Sequence, residues 1–92
     1  MKIEVSAAAR KDLAAAFDYL AERNPKAAQA TRSVIRNAIL GLKQLPNRGR
    51  PGQIDGTREL LVRGTPYVII YSVSDEDVLV ARIRHTSQDP SP

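Results

Sequence analysis

Five residues in the second half of this chain carry the side chains that polar catalysis requires: Arg58, Glu59, Arg82, Arg84 and His85. Cleaving an RNA phosphodiester through its own 2′-hydroxyl needs a base, an acid, and cations that stabilise the charged transition state. His85 and Glu59 are the candidate proton carriers; Arg58 and Arg82, with Arg84 nearby, are the candidate cations. Each has a plainer reading as well. A lone histidine at a strand end is more often hydrogen-bonded structure than catalyst, and Glu59 suits an ion pair with an arginine of a neighbouring strand. Arginine also grips carboxylates in a fixed fork, so Arg58, Arg82 and Arg84, together with Arg50 and Arg10, are equally candidates for contacting an acidic protein partner. Whether they converge depends on strand register, which the sequence leaves open.

Other chemistries are disfavoured. There is no cysteine and a single histidine, so no thiolate or histidine-rich metal site is expected, and no cofactor. Gly49-Arg50-Pro51-Gly52 lacks the Gly-Lys-Ser/Thr of a phosphate-binding P-loop and does not lead into a helix. Tyr67 and Tyr71 share strand parity with Ile69 and read as core residues with a wetted hydroxyl.

The elements that must position these residues are punctuated by caps and turns. Lys2 to Val5 reads as a short strand. Ser6 is suited to cap a helix running to about Arg23, with Leu13, Ala16, Phe17, Leu20 and Ala21 as its apolar stripe. Arg10 and Lys11 sit in its first turns, where the helix macrodipole disfavours cations; the misfit points to a partner. Asn24-Pro25 ends one helix and starts the next, and so tight a link makes an antiparallel hairpin. The second helix is expected to bury Ala27, Thr31, Val34, Ile35, Ala38, Ile39 and Leu42 and to end before Pro46, with Arg32, Arg36 and Lys43 on its outer stripe. Pro46 to Gly56 reads as a loop. Three strands follow at about 57–63, 67–73 and 77–85, joined at hairpin lengths by Gly64-Thr65-Pro66 and Ser74-Asp75-Glu76. The expected architecture is α+β, β-α-α-β-β-β, a helix hairpin packed on an antiparallel sheet.

Ninety-two residues make a single domain, 1–92, with one core; residues 87–92 are expected to fray. The net charge of +4 is uneven. Residues 1–45 carry eight Lys and Arg against four Asp and Glu, whereas residues 46–92 balance six against six, all six cations being Arg. That balance suits an acidic partner. No stretch is apolar enough for a membrane span or signal peptide, and a cytoplasmic location is expected. Val68-Ile69-Ile70 and Val78-Leu79-Val80-Ala81 are apolar at both parities, yet two helices can cover only one sheet face. A second polypeptide is therefore expected over part of the other.

The ordered set Ala9-Arg10-x-Asp12-Leu13, Asn24-Pro25-x-Ala27-Ala28, Leu45-Pro46-x-x-Gly49-Arg50-Pro51-Gly52, Gly56-Thr57-Arg58-Glu59-Leu60, Tyr67-Val68-Ile69-x-Tyr71 and His85-x-x-Gln88 resembles the ParE branch of the RelE/ParE toxin superfamily. The resemblance spans nearly the whole chain and implies the same β-α-α-β-β-β fold. It implies a toxin of a bacterial type II module, held inactive by a cognate ParD-like antitoxin encoded beside it. It also implies DNA gyrase as the target, reached by protein binding, with nucleic acid engaged only through target or antitoxin. The RelE-type relatives imply the alternative, ribosome-dependent cleavage of mRNA; a third reading is a non-toxic module that binds antitoxin only. The sequence departs from the family where a terminal His-x-x-Gln-x-Trp-Pro is common: Asp89-Pro90 follows Gln88, so the aromatic is missing from any target contact.

Overall fold

The computed structural model describes residues 1–88. Strand β1 (Lys2–Val5) leads into helix α1 (Ala7–Arg23), α2 (Pro25–Gly41), and strands β2 (Arg50–Pro51), β3 (Thr57–Leu61), β4 (Tyr67–Val73) and β5 (Asp77–His85). The sheet order is β1-β5-β4-β3-β2. The expected α+β layout therefore holds, with three refinements. β1 pairs with β5 in parallel, Ile3 opposite Val78 and Val5 opposite Val80, while every other pairing is antiparallel. Between β1 and β5 lie the helical hairpin and strands β2 to β4, far more chain than a parallel pairing requires. The expected loop at 46–56 contains the two-residue strand β2, in which Arg50 faces Glu59. The third refinement is at the far end, where Thr86–Gln88 form a 3-10 turn. The remainder of the tail expected at 87–92, with the missing aromatic, lies outside the described residues.

Local chemistry explains the boundaries. Ser6 Oγ accepts from Ala9 N–H at 3.0 Å and donates to Ala81 O at 2.7 Å, so one hydroxyl caps α1 and ties it to β5. Asn24 closes α1 through its own N–H to Leu20 O and opens α2 by accepting from Ala27 N–H. Gly56 and Gly64 take φ of +84° and +82°, which other residues adopt only with strain. β3 stops at Leu61, short of the expected Arg63: the carbonyl of the next residue, Val62, already accepts from Thr65 N–H in the turn.

The core lies between hairpin and sheet: Ile35, Ile39 and Leu42 from α2 meet Val62, Tyr67, Ile69, Tyr71, Val78, Val80 and Ile83. Two expected stripe members are exposed. Val34 is exposed beside buried Ile35, and Ala21 lies in the last turn of α1, which is exposed throughout. Ala9 and Ala28 are buried instead, because a methyl is all that fits where the helices close on their neighbours.

The other sheet face has no helix over it. Half-buried Val68 and Ile70 lie there between exposed Leu61 and Leu79 and the charged Glu4, Glu59 and Arg84. It is neither wholly polar nor capped by the chain itself among the described residues.

Candidate functional site

Register distributes the candidate residues to separate duties. Arg58 pairs across from Tyr71, and both brace the Pro46–Gly49 loop. The Tyr71 hydroxyl donates to Pro46 O at 2.7 Å and accepts from Gly49 N–H at 2.8 Å, so it is bound by backbone rather than wetted as expected. Arg58 donates to Gly49 O at 2.7 Å and Asn47 O at 3.3 Å. Gly49 must be glycine: a Cβ there would stand 2.8 Å from the Tyr71 hydroxyl and 2.9 Å from Glu59 O. The Gly49-Arg50-Pro51-Gly52 stretch is thus a clasp on the sheet, not a ligand loop. Arg50 meets Glu59 at 3.0 Å, the cross-strand ion pair expected for that glutamate, and Gln53 N–H reaches the second carboxylate oxygen at 3.3 Å.

Arg82 sits at the free edge of β5, beyond the point where β1 ends. Asp12 of α1 accepts from its Nε at 2.8 Å and a second guanidinium nitrogen at 3.0 Å, and also from Ile83 N–H at 3.0 Å. This closes a strand edge that would otherwise invite pairing. The Arg82 hydrogen bond holds the Asp12 carboxyl below its ordinary range, against a partial offset from burial, with Ile83 N–H and the Arg84 charge adding to the lowering. Asp12 in turn pushes Arg82 further up.

His85 packs edge-on against Tyr67, ring centroids 5.3 Å apart, and its Nδ1 is met by Ser87 N–H at 3.1 Å. Burial, then nearby Tyr19, pushes the Tyr67 hydroxyl up. Arg84 and His85 line a hollow on the open sheet face with Glu59 and the Val68–Ile70 floor. So Glu59, Arg84 and His85 come near one another, whereas Arg58 is engaged with the loop and Arg82 with Asp12.

A larger feature was only partly visible beforehand. Between α1 and α2 runs a groove of ≈ 520 Å³ with Leu13, Phe17, Ile35 and Ile39 among its apolar walls. Arg10, Arg32 and Arg36 stand around it, opposed by Asp18 alone. Arg10 Nε donates to Val5 O at 3.3 Å, and the Arg32 guanidinium lies 5.6 Å from the Phe17 ring centroid. The signal for it was the poorly placed Arg10 in the first turns of α1, together with the outward Arg32 and Arg36. Lys43 is exposed beyond it. Among the described residues no cluster of metal-ligating side chains occurs, and no helix is long and apolar enough to cross a membrane.

Comparison with known proteins groups the chain with ParE/RelE-type toxins. The family model described as the ParE toxin of the type II toxin–antitoxin system, parDE, matches residues 3–90. Toxin RelE2 of Caulobacter vibrioides is 40% identical over 77 residues, covering 84% of this chain and 85% of that protein. A toxin-named protein of Sinorhizobium fredii, Y4kP, is 37% identical over 70 residues, covering 76% and 72% respectively. Among solved structures, the chromosomal ParDE toxin–antitoxin system from P. aeruginosa contains a similar chain, with TM-score 0.85, 25% identity, and coverage of 92% of this chain and 95% of that one.

Proposed function

Because the chain belongs to the ParE toxin family of type II toxin–antitoxin systems, we propose that its antitoxin is neutralising through the helix groove and that the freed toxin inhibits DNA gyrase by binding. The groove carries this reading. Its apolar walls are suited to the hydrophobic face of an amphipathic segment, and Arg10, Arg32 and Arg36 to the carboxylates along that segment's flank. The electrostatics are complementary, because a positively lined cleft steers and orients an acidic chain.

The gyrase step is supported by the family resemblance and by the commitment of two candidate cations, Arg58 and Arg82, to internal acceptors. Of the five residues considered for RNA cleavage, Arg58 and Arg82 are held by internal acceptors, Glu59 is held by Arg50 and Gln53 N–H, and Arg84 and His85 share a hollow with that glutamate. A toxin that acts by occupying a surface needs no such constellation.

Two measurements test the parts separately. Co-expressed with the product of the adjacent gene, the parent chain co-purifies with it and growth continues. Arg32→Glu/Arg36→Glu is expected to lose about 2 kcal/mol or more of that affinity, roughly 30-fold, and to restore growth arrest; undiminished co-purification removes the groove assignment. Purified chain added to gyrase and relaxed plasmid is expected to block supercoiling and leave linear DNA. Unchanged supercoiling, with codon-specific cuts appearing in translated mRNA, replaces gyrase with the ribonuclease reading; growth unaffected by overexpression of the chain alone leaves the antitoxin-binding module.

A further inference from the structure

From the open face of the sheet we infer a second recognition site, the hollow at Arg84, which takes one carboxylate side chain of a partner polypeptide lying across Val68 and Ile70. The site is separate from the helix groove and does not rest on it.

Three observations meet here. Arg84 Nε is the buried side-chain nitrogen or oxygen without a hydrogen-bond partner among the described residues. A buried donor left unmade is costly, and a guanidinium donor is best satisfied by an anion. The one carboxylate in the same hollow is committed elsewhere: Glu59 takes Arg50 on one oxygen and Gln53 N–H on the other. Size then limits the anion. The hollow is ≈ 120 Å³, room for about four waters at about 30 Å³ each, which admits a carboxylate on a short stem but not a nucleotide.

The surroundings select protein over nucleic acid. Val68 and Ile70 form an apolar floor, with Leu61 and Leu79 exposed on the same face. Glu59 and Glu4 add negative charge to that face. A polyanion needs clustered free cations along its path, and of the arginines the register puts on this face, Arg50 is engaged by Glu59 and Arg82 by Asp12, which leaves Arg84. A short apolar segment with a single Asp or Glu meets both demands: its apolar residues cover the floor and its carboxylate reaches the guanidinium fork.

The test uses the full chain labelled with 15N, following the Arg84 Nε–H signal and the Val68 and Ile70 amides. The probes are acetyl-Leu-Glu-Leu-amide, its Gln counterpart and a short oligouridylate. The Glu peptide is expected to move these signals saturably and to bind about tenfold more tightly than the Gln peptide, the difference between a charge-assisted and a neutral hydrogen bond. Arg84→Met is expected to erase that preference. Equal binding of the two peptides, or no shift with either, overturns the inference. Oligouridylate acting on the same signals at lower concentration overturns it in favour of RNA. If Arg84→Met disturbs the fold, the Glu-to-Gln comparison on the parent chain decides alone. Signals from Phe17 and Ile35 report the groove independently, so failure at one site does not count against the other.

Discussion

Arg82 and Arg84 stand two residues apart on β5 and live under opposite conditions. Arg82 is gripped through two nitrogens by Asp12, whose carboxylate also closes the strand edge at Ile83 N–H. Arg84 projects onto the open face with its Nε buried and no acceptor. Two arginines are internal braces: Arg82, at the β5 edge, joins α1 to the sheet, and Arg58 holds the Pro46–Gly49 loop through carbonyls. On the open face and around the groove, Arg84, Arg32 and Arg36 have no ion-pair acceptor within the chain among the described residues. Residue type is the same throughout; what differs is whether the fold supplies the anion or leaves that to another molecule. The braces are therefore expected to govern stability and the unpaired cations recognition.

The sharpest way to break this division is at the most tightly packed brace. Gly49→Ala forces a methyl against the Tyr71 hydroxyl and the Glu59 carbonyl, neither of which can move without losing the clasp. A cost of about 3 kcal/mol is expected, lowering the thermal midpoint by more than about 10 °C, measured by calorimetry. A midpoint within a degree or two of the parent means the loop is not clasped as described. Arg58→Met comes next. It keeps the apolar stem but removes the donors to Gly49 and Asn47 carbonyls, for an expected loss of about 2 kcal/mol in denaturant unfolding. If Arg58 instead contacts a partner, the variant keeps its stability and loses binding.

Asp12→Asn probes the second brace, and its signature is pH dependence. The Arg82 hydrogen bond, aided by Ile83 N–H, depresses the folded-state pKa of Asp12. A depressed carboxyl stabilises the fold above its unfolded value, near ~3.9, and that contribution disappears as pH falls through the lower folded value. The parent is thus expected to be more stable than the variant at pH 7, with the gap closing below about pH 4. A gap that stays constant from pH 7 to pH 3 assigns the effect to packing rather than charge.

Much of this layout was legible in advance because caps and turn residues announce themselves chemically. Ser6, Asn24-Pro25, Gly64 and the Ser74–Glu76 link each sit where one conformation is strongly favoured. β2 was not legible: two residues, one of them proline, carry no periodicity, and their pairing exists only because Glu59 and Arg58 stand opposite. The parallel placement of β1 was equally hidden, since Lys2 to Val5 says nothing about direction. The fate of the arginines depended on register. The sheet slips between Ile70 and Tyr71, so that Ile70 faces Arg82 while Tyr71 faces Val80, leaving Ala81 as the extra residue. Reading 82 and 84 as an alternating pair could not anticipate that Arg82 would meet α1 at an edge where β1 had stopped.

The smallest expected effect is the most discriminating. Arg84→Met removes a charge from a half-buried position and deletes a buried donor that has no acceptor among the described residues. For a brace such a change is costly, because carbonyls lose their partner. Here nothing loses a partner, and the thioether stem fills similar space over Val68 and Ile70. Stability is expected to stay within about 0.5 kcal/mol of the parent or to rise, since removing an unmade buried hydrogen bond relieves a desolvation cost. Arg84 also helps to lower Asp12, so the variant's acid limb should move slightly upward in pH, a minor loss opposing that gain. Unfolding curves at pH 7 and pH 4 separate the two contributions. A loss as large as that of Arg58→Met makes Arg84 another internal brace and erases the division between the two regions; an unchanged or raised midpoint leaves its guanidinium available to a partner.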